Sequence, residues 1–166
     1  MPEGSLQDFR VGHGFDTHRF SEDVTKKLIL GGVRFDSGPG LVGHSDADAL
    51  VHAVIDALLS CAGLGDIGAM FPETDEAWAG ANSMDLLAKA IARLNQEGWV
   101  VVNVDCTVVT EAPRIAPRRQ EIEELLSEAV GAPVMVKGKR AEGLGALGRC
   151  EGLACWAVAL ITRQRS

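Results

Sequence analysis

The chain has 166 residues, a length typical of one domain that buries a substantial hydrophobic core. Its formal net charge of −7 argues against binding of nucleic acid, which requires a basic surface, but leaves small phosphorylated substrates open. No apolar run approaches the ~18 residues of a membrane span, and neither a signal nor a transit pattern is present. The four cysteines are interpreted as reduced core residues, so the chain is expected to be cytoplasmic.

The N-terminal part of the sequence predicts strands. Residues 1–8 are expected to form a flexible lead-in ahead of one domain at 9–166. A strand begins at Phe9 and runs into a loop near His18. Two short apolar runs within 28–35 flank a pair of glycines, which predicts a hairpin.

The first helix is predicted to begin at Ser45. Ser45 and Asp48 form a capping-box-like pattern, and Asp46 also favours the first turn of a helix. Apolar residues then recur at helical spacing as far as Cys61, and the glycines that follow end the helix. The next stretch, 63–81, is rich in glycine, proline and acidic residues and is predicted to be a long irregular connection.

The second half of the chain alternates helical and strand patterns. We predict, in order, a helix at Ser83–Gln96, a strand at Trp99–Val109, a helix from Pro117 to Val130, a strand at Val134–Lys137, a glycine-rich loop at 138–152 and a strand at Leu153–Thr162. The last run is nearly all apolar, which favours a strand covered on both faces, although periodicity alone does not distinguish it from a helix. This order predicts a single α/β (α+β-type) domain with a mixed β-sheet and helices packed on one face.

Three side chains in the first third of the sequence form a candidate metal site. Asp16 and His18 lie two apart at the end of a strand, so their side chains point to the same side, and His52 lies on the predicted first helix. A carboxylate and imidazoles are typical zinc ligands, and three protein ligands leave a fourth position open, as in catalytic zinc sites. The pattern alone fits a second interpretation equally well, in which Asp16 and His18 are an exposed pair in a loop and His52 is a core histidine.

Polar and positive side chains indicate phosphate binding at two helix starts. His44 precedes the predicted cap Ser45, and it could bind a phosphate together with the N–H groups of that helix. Arg114, Arg118 and Arg119 crowd the start of the third helix, where positive charge opposes the helix dipole. An anionic ligand or a partner subunit would explain these arginines, and a solvated basic face is the alternative.

The segment 137–145 is glycine-rich and cationic and contains one carboxylate. Backbone N–H groups with Lys139 and Arg140 would form a cradle for phosphate, and Glu142 could hold a divalent cation that bridges phosphates. The segment lacks the Walker pattern, so on its own it is a weak indication.

Taken together, these residues resemble the 2-C-methyl-D-erythritol 2,4-cyclodiphosphate synthase family over about residues 10–163. Several separate motifs occur in the order found in that family, which makes the match specific. They are Gly12-His13-Gly14-Phe15-Asp16-Thr17-His18, His44-Ser45-Asp46-Ala47-Asp48 with His52, Gly65-Asp66-Ile67-Gly68, Phe71-Pro72-Glu73-Thr74-Asp75, Glu111-Ala112-Pro113-Arg114 and Gly148-Arg149-Cys150-Glu151-Gly152.

The resemblance implies a homotrimer of this single catalytic domain, with active sites between neighbouring subunits. Zinc would be bound by Asp16, His18 and His52, and a second divalent cation, Mg²⁺ or Mn²⁺, by Glu142. His44 and Arg140 would act with Glu142 as catalytic residues. The substrate-binding residues would be Asp16, His18, His44, Ser45, Asp66, Ile67, Gly68, Phe71, Asp75, Thr110, Ala112, Pro113, Arg114, Ile115, Ala116, Lys139, Arg140 and Arg149.

The implied substrate-binding residues divide by the part of the substrate that they contact. His44 and Ser45 would contact the phosphates. The segments 66–68 and 71–75 would line the pocket for the methylerythritol. The segment 110–116 would receive the cytidine from the adjacent subunit.

The sequence departs from the family pattern at two places. Lys139-Arg140-Ala141 stands where the family usually has a threonine-rich stretch, one threonine being assigned to transition-state stabilisation. Arg140 is expected to serve the same phosphate with a full charge. Ala146 stands where an aromatic residue often lies, near Arg149 and the expected three-fold axis, which weakens the case for a prenyl diphosphate in the centre of the trimer.

The implied reaction converts 4-diphosphocytidyl-2-C-methyl-D-erythritol 2-phosphate to 2-C-methyl-D-erythritol 2,4-cyclodiphosphate and CMP, in the non-mevalonate pathway to isoprenoid precursors. The first alternative is a zinc-dependent phosphohydrolase that acts on a small phosphorylated polyol. The second is a non-catalytic oligomeric binding module with a structural zinc. That module would need a fourth protein ligand, for which His13 is the only nearby candidate in the sequence.

Overall fold

The computed structural model describes residues 9–72 and 74–164, so the expected lead-in at 1–8 lies outside the described residues. The strands are β1 (Phe9–Arg19), β2 (Leu28–Leu30), β3 (Val33–Phe35), β4 (Trp99–Val109), β5 (Val134–Lys139) and β6 (Gly152–Arg163). The α-helices are α1 (Ala49–Ala62), α2 (Ile67–Met70), α3 (Ser83–Gln96), α4 (Arg119–Val130) and α5 (Gly145–Gly148), with short 3₁₀ turns at Glu76–Trp78 and Ala116–Arg118. None of the helices in the described part of the chain is long and apolar enough to cross a membrane.

The main sheet has four strands in the order β1-β6-β4-β5. β6 pairs antiparallel with both β1 and β4, whereas β4 and β5 run parallel. The parallel pair is joined by the crossover that contains α4, because strands that run in the same direction need a long connection. β2 and β3 form a separate two-stranded hairpin. The structure therefore confirms a mixed α/β domain.

One face of the main sheet is covered by helices and the other is open. Along β6 the side chains of Leu153, Cys155 and Ala157 are buried, whereas Val158 on the opposite face is 44% exposed. The expectation that this strand is covered on both faces is therefore wrong for the single chain. On this second face of β6 Ala154 is buried, but Trp156, Leu160 and Thr162 are only partly buried, so the chain itself covers the face incompletely.

Close contact between α1 and β1 depends on two glycines. A Cβ on Gly14 would lie 1.9 Å from the carbonyl oxygen of Ala53, and a Cβ on Gly12 would lie 2.2 Å from that of Ala57. Only a residue without a side chain allows the two backbones to come this near. This contact sets the distance between the end of β1 and the first turn of α1.

The start of α1 differs from the prediction. Its N-cap is Asp48, whose side chain accepts a hydrogen bond from the N–H of Val51 at 3.1 Å, and not Ser45. Ala47 has a φ of +59°, which interrupts the helical backbone just before Asp48. The Ser45 hydroxyl instead accepts from the N–H of Ala47 at 3.2 Å. Asp46 and Asp48 therefore precede the helix and do not lie in its first turn.

The later elements agree with the prediction except at some ends. Pro117 lies in a 3₁₀ turn, and the α-helix proper begins two residues later at Arg119. β5 continues to Lys139 because Val109 of β4 still pairs with it there. Short helical turns, which include α2 and α5, interrupt both predicted loops.

Candidate active site

The end of β1 and the first turn of α1 bring together the three predicted metal ligands. His18 Nε2 lies 2.9 Å from Asp16 Oδ2, and His52 Nδ1 lies 3.0 Å from the same oxygen. One ligand atom from each residue lies within 4.8 Å of the others. One carboxylate oxygen and two imidazole nitrogens are a typical zinc donor set, so these residues fit the implied metal.

The orientation of His18 is set by the backbone. Its Nδ1 lies 2.7 Å from the carbonyl oxygen of Val42. A carbonyl only accepts hydrogen bonds, so Nδ1 must carry the proton that is shared with Val42. Nε2 is then the nitrogen that faces Asp16, and it is the one that would be available to a metal.

Opposing effects act on the carboxylate at the centre of this group. Burial raises the pKa of Asp16, but hydrogen bonds from His18 and His52 outweigh it, so the pKa of this carboxyl lies well below its usual range. The side chain is consequently ionised at neutral pH. An ionised carboxylate is the form that binds a metal cation.

A cavity of about 150 Å³ adjoins the three ligands. Five further predicted substrate-binding residues line it: His44, Ser45, Ile67, Gly68 and Phe71. Phe71 packs edge-on against Trp78, with ring centroids 5.1 Å apart, and makes one wall of the cavity apolar. The cavity therefore combines charged ligands with an apolar wall.

Sequence reasoning missed three residues that line this cavity: Asp56, Trp78 and Leu86. Asp56 lies four residues after His52 on the same face of α1, a spacing that could have identified it. Burial raises the pKa of Asp56, and a hydrogen bond of 2.7 Å from the N–H of Ile67 partly offsets this. Nothing in the sequence pattern pointed to Trp78 or Leu86.

Two predicted substrate-binding carboxylates cap short helical turns. Asp66 accepts from the N–H of Ala69 at 2.7 Å at the start of α2. Asp75 accepts from the N–H of Ala77 at 3.0 Å. Neither residue lines the cavity in the single chain.

A second cavity, of about 480 Å³, lies where β4 and β5 end. Residues that line it are Thr110, Glu111, Pro113, Arg114, Ile115, Ala116, Arg119, Lys137, Gly138, Lys139 and Arg140. Five of them are cationic, and the set includes most of the predicted cytidine segment with the predicted phosphate cradle. Ala112 lies beside it, where its carbonyl accepts from the Thr110 hydroxyl at 2.6 Å.

Arg118 and Arg119 each pair with a glutamate of α4, and the contact of Arg118 is the closer one. The Arg118 guanidinium pairs with Glu121 at 2.7 Å and lies 5.6 Å from the ring centroid of Phe35. Arg114 and Arg119 line the cavity, although Arg119 also lies 4.0 Å from Glu123, whereas Arg118 does not line it.

Two other predicted site residues lie outside both cavities of the single chain. Glu142 is exposed in the turn after β5, with a φ of +53°. Arg149 is exposed and pairs with Glu151, with Nε 2.7 Å from Oε1.

His13 does not complete a four-ligand site. It lies in β1 an odd number of residues before Asp16 and His18, and side chains alternate along a strand. Its exposed side chain is therefore on the open face of the sheet, opposite to theirs. Within residues 9–72 and 74–164, the only cluster of three or more side chains suited to hold a metal is Asp16, His18 and His52. The interpretation as a binding module with a closed structural zinc is therefore wrong for the described residues.

Comparison with known proteins gives consistent similarities along the chain. The sequence profile of the YgbB family matches residues 9–162. The 2-C-methyl-D-erythritol 2,4-cyclodiphosphate synthase of Bordetella avium (strain 197N) is 51% identical over 160 residues, which cover 94% of this chain and 97% of that protein.

Solved structures share the fold. IspF of Plasmodium falciparum, solved as a CDP complex, matches with a TM-score of 0.83 and 30% identity over 97% of this chain and 100% of its own. The bifunctional IspDF of Campylobacter jejuni matches with a TM-score of 0.88 and 35% identity over 93% of this chain and 42% of its own.

Proposed function

The chain belongs to the YgbB family, and from this premise we propose how its residues carry out the reaction. It is an enzyme of the 2-C-methyl-D-erythritol 2,4-cyclodiphosphate synthase type, and it acts in the non-mevalonate pathway of isoprenoid precursor synthesis. It converts 4-diphosphocytidyl-2-C-methyl-D-erythritol 2-phosphate to the 2,4-cyclodiphosphate and CMP. The phosphohydrolase alternative is not favoured, because the relatives at about half identity are synthases.

Asp16, His18 and His52 hold zinc in this proposal, and Glu142 binds a second cation, Mg²⁺ or Mn²⁺. The observation that carries the proposal is the convergence of three donor atoms on one point beside a cavity. When bound, the cations polarise phosphate oxygens and neutralise negative charge that develops on the phosphates. His44 and Ser45, at the cavity rim, contact the phosphates, and the apolar wall with the segments 66–68 and 71–75 receives the methylerythritol.

The cytidine diphosphate end of the substrate occupies the cationic cavity, through the segment 110–116 with Lys139 and Arg140. The CDP complex of the Plasmodium falciparum protein supports a nucleotide subsite of this kind. The two cavities share no lining residue within one chain, which favours a site assembled from two subunits.

Ring closure needs no protein nucleophile. An oxygen of the 2-phosphate attacks the β-phosphorus of the diphosphate, a new P–O bond forms, and the bond from the β-phosphorus to the CMP oxygen breaks. Arg140 and Lys139 stabilise the charge that builds up on the leaving CMP, and His44 contacts the reacting phosphates. Holding both ends of the substrate in a folded conformation contributes up to about 7–11 kcal/mol in favourable cases.

A homotrimer is the assembly that we propose. The open face of the main sheet carries Val11, Phe15, Met135 and Val158, which are between 43% and 69% exposed. An apolar face of this kind on a single chain is typical of a protein–protein interface. Arg149 then faces the centre of the trimer, near the three-fold axis.

We place the catalytic domain, residues 9–166, in the cytoplasm. All four cysteines are free, and three of them are buried. Burial raises the pKa of Cys61 to about 11 and that of Cys106 to about 12, which keeps these thiols protonated. Reduced core cysteines are typical of a reducing compartment.

The test is to supply the cytidylylated substrate with Zn²⁺ and Mg²⁺ and to follow the products by phosphorus NMR. We expect a cyclic diphosphate and CMP from the wild type and from the control Lys89→Ala at an exposed position of α3, and no turnover and no bound zinc from His52→Ala. A linear alcohol phosphate would indicate hydrolysis, and full zinc occupancy in His52→Ala would contradict the ligand assignment.

A further inference from the structure

We propose that Ser83 and Asp46 are positioning residues that hold the imidazole of His52 in the tautomer and orientation required for metal binding. The inference rests on the proposed function, because it takes His52 to be a metal ligand. It assigns a role to two residues that lie outside the predicted ligand and substrate-binding set.

A continuous chain of hydrogen bonds joins the loop before α1 to His52 through the start of α3. His52 Nε2 lies 2.9 Å from Ser83 Oγ. The Ser83 hydroxyl is also hydrogen-bonded to Asp46 Oδ1, and the Ser83 N–H donates to Asp46 Oδ2 at 3.0 Å. Ser83 is fully buried, so no bulk water competes for these bonds.

The number of available protons determines the direction of each bond. The Ser83 hydroxyl donates its single proton to Asp46 Oδ1. Ser83 Oγ can then only accept from His52, which requires a proton on Nε2. In the metal-bound form, a neutral imidazole with its proton on Nε2 would offer the metal the lone pair of Nδ1, the nitrogen that lies 3.0 Å from Asp16 Oδ2.

The two histidine ligands are thus oriented by different kinds of acceptor. His18 donates from Nδ1 to a backbone carbonyl, that of Val42, and binds through Nε2. His52 donates from Nε2 to side-chain oxygens and binds through Nδ1. Ser45 Oγ lies 3.1 Å from the same Nε2 and is a second, weaker acceptor. Partners of this kind fix the ring of a metal-bound histidine and raise its affinity for the metal.

Helix capping does not account for the Ser83 hydroxyl. The N-cap of α3 is Asn82, whose side chain accepts from the N–H of Met84 at 2.8 Å. The hydroxyl of Ser83 makes its hydrogen bonds to Asp46 and His52 and to no backbone group of α3 in the described residues. Removing it therefore leaves the cap of the helix intact.

The test compares Ser83→Ala with the matched control Ser60→Ala, whose exposed side chain donates to the backbone carbonyls of His13 and Ala57. Zinc affinity of the metal-free trimeric protein is measured by competition with a chelator. We expect Ser83→Ala to lose roughly 10- to 100-fold in affinity, as for other outer-sphere partners of metal ligands, and Ser60→Ala to match the wild type. Asp46→Asn, which keeps the serine, is expected to show a smaller loss in the same direction.

A second readout follows the tautomer itself. Nitrogen NMR of protein labelled with ¹⁵N-histidine, with zinc bound, is expected to show a protonated Nε2 on His52 in the wild type. Equal zinc affinity in Ser83→Ala and Ser60→Ala, or an unprotonated Nε2 in the wild type, would overturn the inference. If the proposed function fails, the wild type itself forms no cyclic product, so the two failures are distinguishable. If Ser83→Ala does not fold, Asp46→Asn and the wild-type spectrum decide.

Discussion

Gly14 shows how one residue in β1 controls the geometry of the proposed metal site. Its Cα faces the backbone of α1 so closely that any Cβ would overlap with the carbonyl of Ala53. Asp16 and His18 follow it on the same strand. His52 is on α1, the helix that can lie this close to β1 because residue 14 has no side chain. The distance between the ligands thus depends on a residue that touches no ligand.

Replacing Gly14 by alanine is expected to push α1 away from β1. We expect the free energy of unfolding to fall by about 1–3 kcal/mol or more, the usual cost of overpacking a core. We also expect weaker zinc binding. Denaturant unfolding and chelator competition would measure the two effects. Lys89→Ala, at an exposed position of α3, is expected to change stability by less than about 0.5 kcal/mol. An unchanged unfolding midpoint for Gly14→Ala would contradict the packing described here.

At the residue scale, the sequence predicted which side chains lie together better than it predicted their surroundings. The D-x-H pattern and the histidine on the first helix, taken with the family resemblance, pointed to Asp16, His18 and His52, whose ligand atoms the structure places within 4.8 Å of one another. Ser45 was assigned as a helix cap because its spacing fitted one, but Ala47 adopts a φ of +59° that alanine rarely takes. No local pattern reveals such a conformation, because it is imposed by the hydrogen bonds of Ser45, Asp46 and Asp48 around it.

At the element scale, Asp48 connects α1 to the β2–β3 hairpin. Its buried carboxylate accepts from the N–H groups of Gly31 at 2.9 Å and Gly32 at 2.7 Å as well as from Val51. Burial raises the pKa of Asp48, and the three N–H donors oppose that rise. The two glycines have positive φ values that form the hairpin turn. One side chain therefore fixes where the helix begins and where the hairpin packs.

Asp48→Ala would leave these donors without an acceptor. We expect a loss of at least ~3 kcal/mol in the free energy of unfolding, since each buried unsatisfied donor costs about 1–3 kcal/mol. Asp85→Ala, an exposed acidic residue in the first turn of α3, is the matched control and is expected to cost at most about 1 kcal/mol. Urea denaturation of both variants measures the difference. Similar losses in the two variants would show that Asp48 is only a surface cap.

The elements themselves were largely predictable, and their junctions were not. The sequence identified the ends of α3 and β4 correctly, because the hydrophobic periodicity changes near the glycine that separates the two elements. At Pro117 the chain forms a 3₁₀ turn before α4. Proline fits this turn as well as it fits the first turn of an α-helix, so the sequence did not distinguish the two. The extension of β5 to Lys139 depends on pairing with Val109, which only the assembled sheet reveals.

At the scale of the whole molecule, the near-continuous apolar sequence of β6 fits a strand with two buried faces, whereas one chain covers only one. The helices account for the buried face. The second face carries Val158 and, on the neighbouring β1, Phe15, whose ring lies 5.0 Å from that of Trp156. The apolar sequence indicates that the second face has a cover, but it does not specify what provides that cover.

Val158→Glu tests the proposed assembly. Placing a charge on the open face is expected to dissociate a trimer of three 17.6 kDa chains, because burying an unpaired carboxylate in an interface is costly. Sedimentation velocity would detect the shift, and circular dichroism would show a folded monomer, since the side chain is 44% exposed in the single chain. Lys89→Glu on the exposed side of α3 is expected to remain trimeric. A wild type that sediments as a monomer would refute the proposal.

The proposed function depends on the metal site. The most direct test of that site is an anomalous-scattering map collected at the zinc absorption edge from crystals of the zinc-loaded protein. We predict one zinc bound by Asp16 Oδ2, His18 Nε2 and His52 Nδ1 at about 2.0–2.2 Å, with an oxygen that does not belong to the protein in the fourth position. A zinc bound elsewhere would contradict the ligand assignment, and a fourth protein side chain in the coordination sphere would contradict the open catalytic position.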